Sequence, residues 1–464
     1  MLIVFMLAAA VFAVWAACFR PTWFFVALIG IPITLAMVGR GLGEDSTAIQ
    51  FGPLTVRLMD PCALGLVAGI LYHGHSRVWR VSGSRAGGRV ARWIALYLGL
   101  KVIATMMFAG QIIASNGLSN SWGGGVIAAA GEVRDNFLAI LAPLLVVVCA
   151  RHITAERLRK PFIILVGIIV TTAVVRLARG EAQIWSGMGE SRFIGAGEAI
   201  TLALVSFFLY CMPGRTQNRG RVRFVAIVAF AIAILANHRS VWLASCIGLA
   251  VLITATIRGN LPTVRKKTAW IVLLLTGFGA VALILMRGNG AMTDEGGLDT
   301  RMLAFTDPVS DSDSAWRMGL WMARVQGVAD DWVFGRFLGD RPVTLLNGQW
   351  IAAPDHSAYV SAFEMGGLCL LLVVFRFWTD LIRTAWNMIR ARGAKDPSGA
   401  LALAMIAASL AHGVAYDFPL LGPSLAVLLL MRRPVLPALA RIRKVMLAPV
   451  NPAFELGSAK ESTT

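Results

Sequence analysis

Long apolar runs, most of them near the length of a membrane crossing, alternate with short polar stretches along most of the chain. They fall near 2–18, 22–39, 58–73, 93–114, 136–150, 161–178, 193–212, 223–237, 240–257, 269–286, 358–378, 399–416 and 418–431. A helix needs about 20 mostly apolar residues to cross the hydrocarbon core of a bilayer. The pattern therefore predicts an all-α polytopic membrane protein with about 12–13 transmembrane helices. The first run has no basic stretch before it and reads as a membrane helix rather than a cleaved leader. The last two runs lie so close together that a tight helical hairpin is expected.

The loops between the runs carry the orientation. Arg77, Arg80, Arg85, Arg89 and Arg92 follow the third run, and Arg151, Arg157, Arg159 and Lys160 follow the fifth. The same bias returns at Arg215–Arg223, at Arg258–Lys267, at Arg383–Lys395 and in the tail from Arg432. Every second loop is basic, which places those loops in the cytoplasm. One outward segment breaks the rhythm. Residues 287–355 hold ten acidic residues, six arginines and no lysine, the reverse of the basic loops. It is too long for a plain connector, and the apolar spacing in DTRMLAF and SAWRMGLWMARVQGVADDWVFG predicts short amphipathic helices on the membrane face. The organisation is then ten helices in 1–286, a long periplasmic loop in 287–355, three helices in 356–431 and a basic, then polar, tail in 432–464.

Composition agrees with this reading and narrows it. Of 464 residues 57% are apolar and 15% charged, and the mean hydropathy is +0.70. A soluble domain carries about a quarter charged residues. The formal charge of +18 would suggest nucleic acid in a soluble protein. Here it follows from the basic cytoplasmic loops, and no nucleic-acid partner is expected. The six cysteines (Cys18, Cys62, Cys149, Cys211, Cys246, Cys369) lie in or beside apolar runs without metal-ligand spacing and read as small buried side chains. No phosphate-binding Gly-rich loop, HExxH, GxSxG or supported DxD pair is present.

Three outward features could carry chemistry. NHRSVWLA puts Arg239 where an outer turn meets the membrane; the simpler alternative is a snorkelling arginine, although the positive-inside bias disfavours one on this side. SAWRMGLW, inside the long loop, holds Arg317, and Arg324 follows seven residues later on the same helical face. Planar guanidinium groups suit bidentate capture of phosphate oxygens, whereas the plain reading pairs Arg317 with Asp311 or Asp313. APDHSAYVSAFEMGGL places His356 before the eleventh span and Glu364 eight residues further, inside it. A histidine can take a hydroxyl proton at neutral pH, or it can be just a polar interfacial residue. An acid two turns into a membrane helix is costly and functional by default. Weaker features are Lys101 with Glu198 as a candidate partner, the group Arg176, Arg179, Arg192, Glu181 and Glu190, and the pair His412 and Asp417.

In order, spacing and side of the membrane these motifs resemble the O-antigen ligase and polymerase family of bacterial membrane glycosyltransferases. That family combines many spans, an outer turn like HRSVWLA, and a periplasmic loop with an arginine near a tryptophan. A His-Asn motif then runs into a helix with a Glu-x-Gly step. Here the elements are Arg239, Arg317 with Trp321, and DHSAY followed by Glu364, Met365 and Gly366, covering about 195–375. The departure is Ser357, where the family has Asn, which bears on how His356 is oriented. The resemblance implies a GT-C-like fold in the inner membrane, no metal and no other cofactor, and a site facing the periplasm. It implies a donor glycan on undecaprenyl diphosphate and an acceptor that is another glycan, the lipid A core or, for a ligase, a protein hydroxyl. Arg239 and Arg317, with Arg324 in a lesser part, would hold the diphosphate; His356 would be the base and Glu364 would support it. A polymerase and a ligase use the same site and stay open as alternatives, as does a non-catalytic transporter.

Overall fold

The computed structural model describes residues 2–41, 48–51, 54–74, 88–101, 103, 138–149, 152–180, 193–212, 218–236, 238–258, 312–335, 344–346, 349–351, 357–392 and 396–431. The tenth run, the remainder of the long loop including DTRMLAF, and the tail lie outside the described residues. Helices dominate: α1 Leu2–Phe19, α2 Pro21–Gly41, α3 Asp60–Gly74, α4 88–101, α5 Leu138–Val148, α6 Ala155–Ala178 and α7 Ala196–Cys211. They continue as α8 Arg219–Leu235, α9 Arg239–Arg258, α10 Ser312–Gln326, α11 Ala358–Arg392, α12 Ser398–Ala415 and α13 Gly422–Met431. Among the described residues, six helices are long and apolar enough to cross a membrane. This is a multi-pass helical membrane protein. Two small antiparallel hairpins, β1 Ala48–Phe51 with β2 Leu54–Arg57 and β3 Thr344–Leu346 with β4 Gln349–Ile351, are additions to the expected all-α pattern.

Small residues let the helices approach. Gly65 and Gly69 of α3 lie against Ala13 and Ala17 of α1, and a Cβ on Gly65 would come within 2.8 Å of the Ala13 backbone. Spaced four apart, these residues form one small-residue seam between parallel helices, the means by which membrane helices gain van der Waals contact when lipid offers no hydrophobic driving force. Gly248 of α9 does the same against Ala404 and Ala408 of α12. The outer side of α1 carries exposed Val4, Leu7, Val11 and Phe19, as expected where the solvent is lipid. Cys18, Cys62 and Cys149 are buried as expected, whereas Cys246 lies exposed on α9. α12 and α13 form the expected tight hairpin, with Gly422 packed on Ser409.

The largest departure from the sequence pattern is α11. It runs to Arg392, fourteen residues beyond the apolar run, and its continuation is held at the basic-loop end by Asp380. Arg89 of α4 sits 2.9 Å from the Asp380 carboxylate and donates to Thr384 Oγ1 at 2.6 Å. More importantly, α11 is two helices. Gly367 has φ 57° and ψ −158°, and Tyr359 stacks on Phe375 with ring centroids 5.8 Å apart. Sixteen residues of straight helix would separate those positions by about 24 Å, so the arms 358–366 and 368–392 fold sharply back at Gly367. Glu364 therefore belongs to a short arm ahead of the long one, not to a point two turns inside a continuous span.

The fold-back is stapled by the segment after α10, where a 3-10 turn (Ala329–Asp331) leads to Gly335. The first backbone N–H groups of the long arm have no intrahelical acceptor; Leu368 N–H donates to the Trp332 carbonyl at 2.9 Å and Cys369 N–H to the Val333 carbonyl at 3.1 Å. Gly335, at φ 68°, lies directly on the backbone of Glu364, Gly366 and Gly367. A side chain here meets both a left-handed backbone and a neighbouring main chain. Gly335→Ala should lower the thermal unfolding temperature in detergent, with backbone strain alone costing about 1–3 kcal/mol. Gly167→Ala, whose Cβ meets nothing within 4 Å, should not lower it.

Candidate active site

The outer turn comes first. His238 caps α9: its carbonyl accepts the N–H groups of Val241 and Trp242 at 3.0 Å. The indole of Trp242 donates back to the Ile234 carbonyl of α8 at 2.8 Å. The buried His238 ring bonds the Ile194 carbonyl through Nε2 at 2.9 Å; because the partner is a carbonyl, the proton sits on Nε2. This turn is pinned on three sides, and Arg239, half-buried, is the first residue of α9.

The second element is the amphipathic helix expected from SAWRMGLW, found as α10. Leu320, Arg324 and Val328 are buried, Arg317 half-buried, and Met322 and Val325 exposed. The inward residues follow the three-to-four spacing of one helical face. Arg317 donates from Nη1 to the Ala415 carbonyl at the end of α12, 3.2 Å away, and its guanidinium lies over the Tyr416 ring at 5.2 Å. Arg324 goes elsewhere: its Nη1 is 3.2 Å from Glu364 Oε1, and the two residues are only 3% and 4% exposed. Two arginines on one face thus serve different neighbours, one at α12 and one at α11.

The third element is the start of α11. His356 lies outside the described residues, but the chain is placed from Ser357 onward. Ser357 is buried and its Oγ accepts the Val360 N–H at 3.5 Å, a long N-cap bond. Serine and asparagine are both favoured N-caps, so the Ser357 departure preserves this local role. Ala358 N–H donates to the Tyr416 carbonyl at 3.0 Å, and Tyr359 Oη to the Leu410 carbonyl at 3.1 Å. The start of α11 is thereby tethered to the same end of α12 that receives Arg317.

Tyr416 is the contributor the sequence did not single out, and His412 stood there only as a weaker feature beside Asp417. The His412 ring meets Tyr416 at 5.3 Å and lies within electrostatic reach of His238. Its Nδ1 is buried and has no hydrogen-bond partner among the described residues. The structure thus brings Arg317 and the start of α11, from Ser357 onward, to the end of α12, where His412 lies within electrostatic reach of His238, the residue before Arg239. Their only sequence signal was a histidine four residues before a tyrosine at a helix end. Among the weaker features, Glu198 accepts the Gly195 N–H at the start of α7. Arg176 donates to the Phe193 carbonyl, Lys101 is buried, and Glu181, Glu190 and Arg192 lie outside the described residues. No family model matches the chain, and no curated protein matches it.

Proposed function

We propose that the chain is a metal-independent, inverting membrane glycosyltransferase that transfers or polymerises a glycan carried on undecaprenyl diphosphate at the periplasmic face of the inner membrane. The observation that carries the reading is the meeting of Arg317 and the start of α11, which His356 precedes in sequence, at the end of α12, with His238 of the Arg239 turn within electrostatic reach of His412. That end is opposite the arginine-rich loops, which fits a periplasmic site.

The chemistry follows from charge. His356 takes the proton of an acceptor hydroxyl; the hydroxyl oxygen forms a bond to the anomeric carbon. The bond from that carbon to the diphosphate oxygen breaks on the opposite face, and undecaprenyl diphosphate leaves with the electron pair. The negative charge that grows on the leaving group is met by Arg239 and Arg317, prepositioned cations in a partly dehydrated setting. Arg324, already bonded to Glu364, holds the short arm of α11 in place. Arg239→Lys keeps one charge but loses the planar fork. It should lower transfer about 100-fold at unchanged protein level, measured by glycan transfer in membranes.

The function is tested on a deletion strain complemented with the wild-type gene, by gels of lipid-linked and surface glycans. Loss of long chains with accumulation of single lipid-linked units in the deletion identifies a polymerase. Long lipid-linked chains that never reach the lipid A core identify a ligase. Glycans unchanged in length and attachment but confined to the cytoplasmic leaflet would overturn the enzyme reading in favour of a transporter.

A further inference from the structure

A conspicuous feature of the site is how much converges on one residue between α12 and α13. The Tyr416 ring lies under the Arg317 guanidinium at 5.2 Å and beside the His412 ring at 5.3 Å. Its backbone carbonyl accepts the Ala358 N–H at 3.0 Å, and the neighbouring Ala415 carbonyl accepts from Arg317 at 3.2 Å. Its own N–H is tied to the His412 carbonyl at 3.1 Å. Tyr416 itself is half-buried, as is Arg317.

We propose that Tyr416 is a positioning residue for binding of a lipid diphosphate: its ring seats Arg317, and its carbonyl fixes the start of α11 relative to that cation. The inference rests on the functional reading above and adds to it a residue that touches neither phosphate nor sugar. A long arginine on a surface helix samples many rotamers, and holding it costs entropy. A flat aromatic face beneath the guanidinium and one carbonyl at its edge restrict it to a single plane, so that plane is fixed before the ligand arrives. Cation–π contact of this kind is worth up to about 2 kcal/mol where it is desolvated, which corresponds to about 30-fold in affinity. The backbone half of the role is insensitive to the side chain, so substitutions isolate the ring.

The test uses full-length protein in phospholipid nanodiscs and measures the dissociation constant for undecaprenyl diphosphate, with thermal unfolding of each variant alongside. Tyr416→Leu and Tyr416→Met should weaken binding about 10-fold or more with little change in unfolding temperature. Tyr416→Phe and Tyr416→Trp, which keep an aromatic face, should remain within about 2-fold of wild type. In an Arg317→Gln background the Tyr416→Leu change should have almost no further effect, because the seat then holds no cation. Full-strength binding by Tyr416→Leu overturns the inference, as does an additive double variant or a Phe variant as weak as Leu. Failure of both Leu and Met to fold also overturns it, by making Tyr416 a structural residue. Failure of the wild-type protein to bind undecaprenyl diphosphate is a different result: it removes the functional reading on which the inference rests.

Discussion

Replacing His356 with alanine is expected to abolish glycan transfer while leaving the protein at its normal level in the membrane. A sugar hydroxyl is a poor nucleophile until its proton has somewhere to go, and a positioned base contributes about 10²–10⁴-fold to such a step. Imidazole is the side chain whose ordinary titration range suits that task near neutral pH. His356 precedes Ser357, the N-cap of α11, and α11 is anchored at its first two residues by Ala358 to Tyr416 and Tyr359 to Leu410. The substitution leaves these main-chain and Tyr359 bonds of α11 in place, so a fall in activity without a fall in protein level is the expected signature. His356→Gln should behave like alanine, since an amide can hydrogen-bond a hydroxyl but cannot take its proton. The readout is the glycan ladder of a deletion strain carrying each variant, with immunodetection of the protein in membranes. Full complementation by His356→Ala would remove it as the base and leave the arginines to be explained otherwise.

Sequence and structure part company where the signal passes from one dimension to three. The apolar runs fall close to α1, α2, α6, α9 and α12 because a long apolar helix is determined by its own composition. The position of α10 followed from amphipathic spacing in the same way. In α11 the run stopped at Trp378 because Asp380, Arg383 and Arg390 are charged, yet the helix continues, since Asp380 is satisfied by Arg89 from a helix nearly 300 positions away. The fold-back at Gly367 had a visible trace, the pair Gly366–Gly367, but an apolar stretch containing glycines also fits an unbroken span. What decides is the Gly335 segment, which supplies acceptors for the second arm, and nothing near residue 367 announces it. Of the candidate site, Arg239 was legible as an arginine on the less expected side of the membrane, Arg317 from its place near Trp321 in the long loop, and Glu364 as an acid inside an apolar run. Tyr416 was not, because half of its role lies in a backbone carbonyl and the other half in a ring that happens to meet an arginine from another helix.

Removing only the acid of the buried pair is expected to be the most damaging single change to the fold. In Glu364→Leu the Arg324 guanidinium, 3% exposed, loses the carboxylate 3.2 Å away. Breaking a buried ion pair from one side costs about 3–5 kcal/mol, whereas replacing both partners by apolar groups is often close to neutral. The pair sits beside the Gly335–Gly367 contact, so the single variant should also loosen the fold-back of α11 and lose transfer with it. Arg324→Met combined with Glu364→Leu should recover the unfolding temperature and membrane level, as measured in detergent and by immunodetection. The combination then separates two roles for Arg324 that the single variant confounds. If Arg324 acts through Glu364 to hold the short arm that follows His356, transfer returns with the fold, and this is the expected outcome. A double variant that is stable but inactive would instead place Arg324 directly on the diphosphate, alongside Arg239 and Arg317.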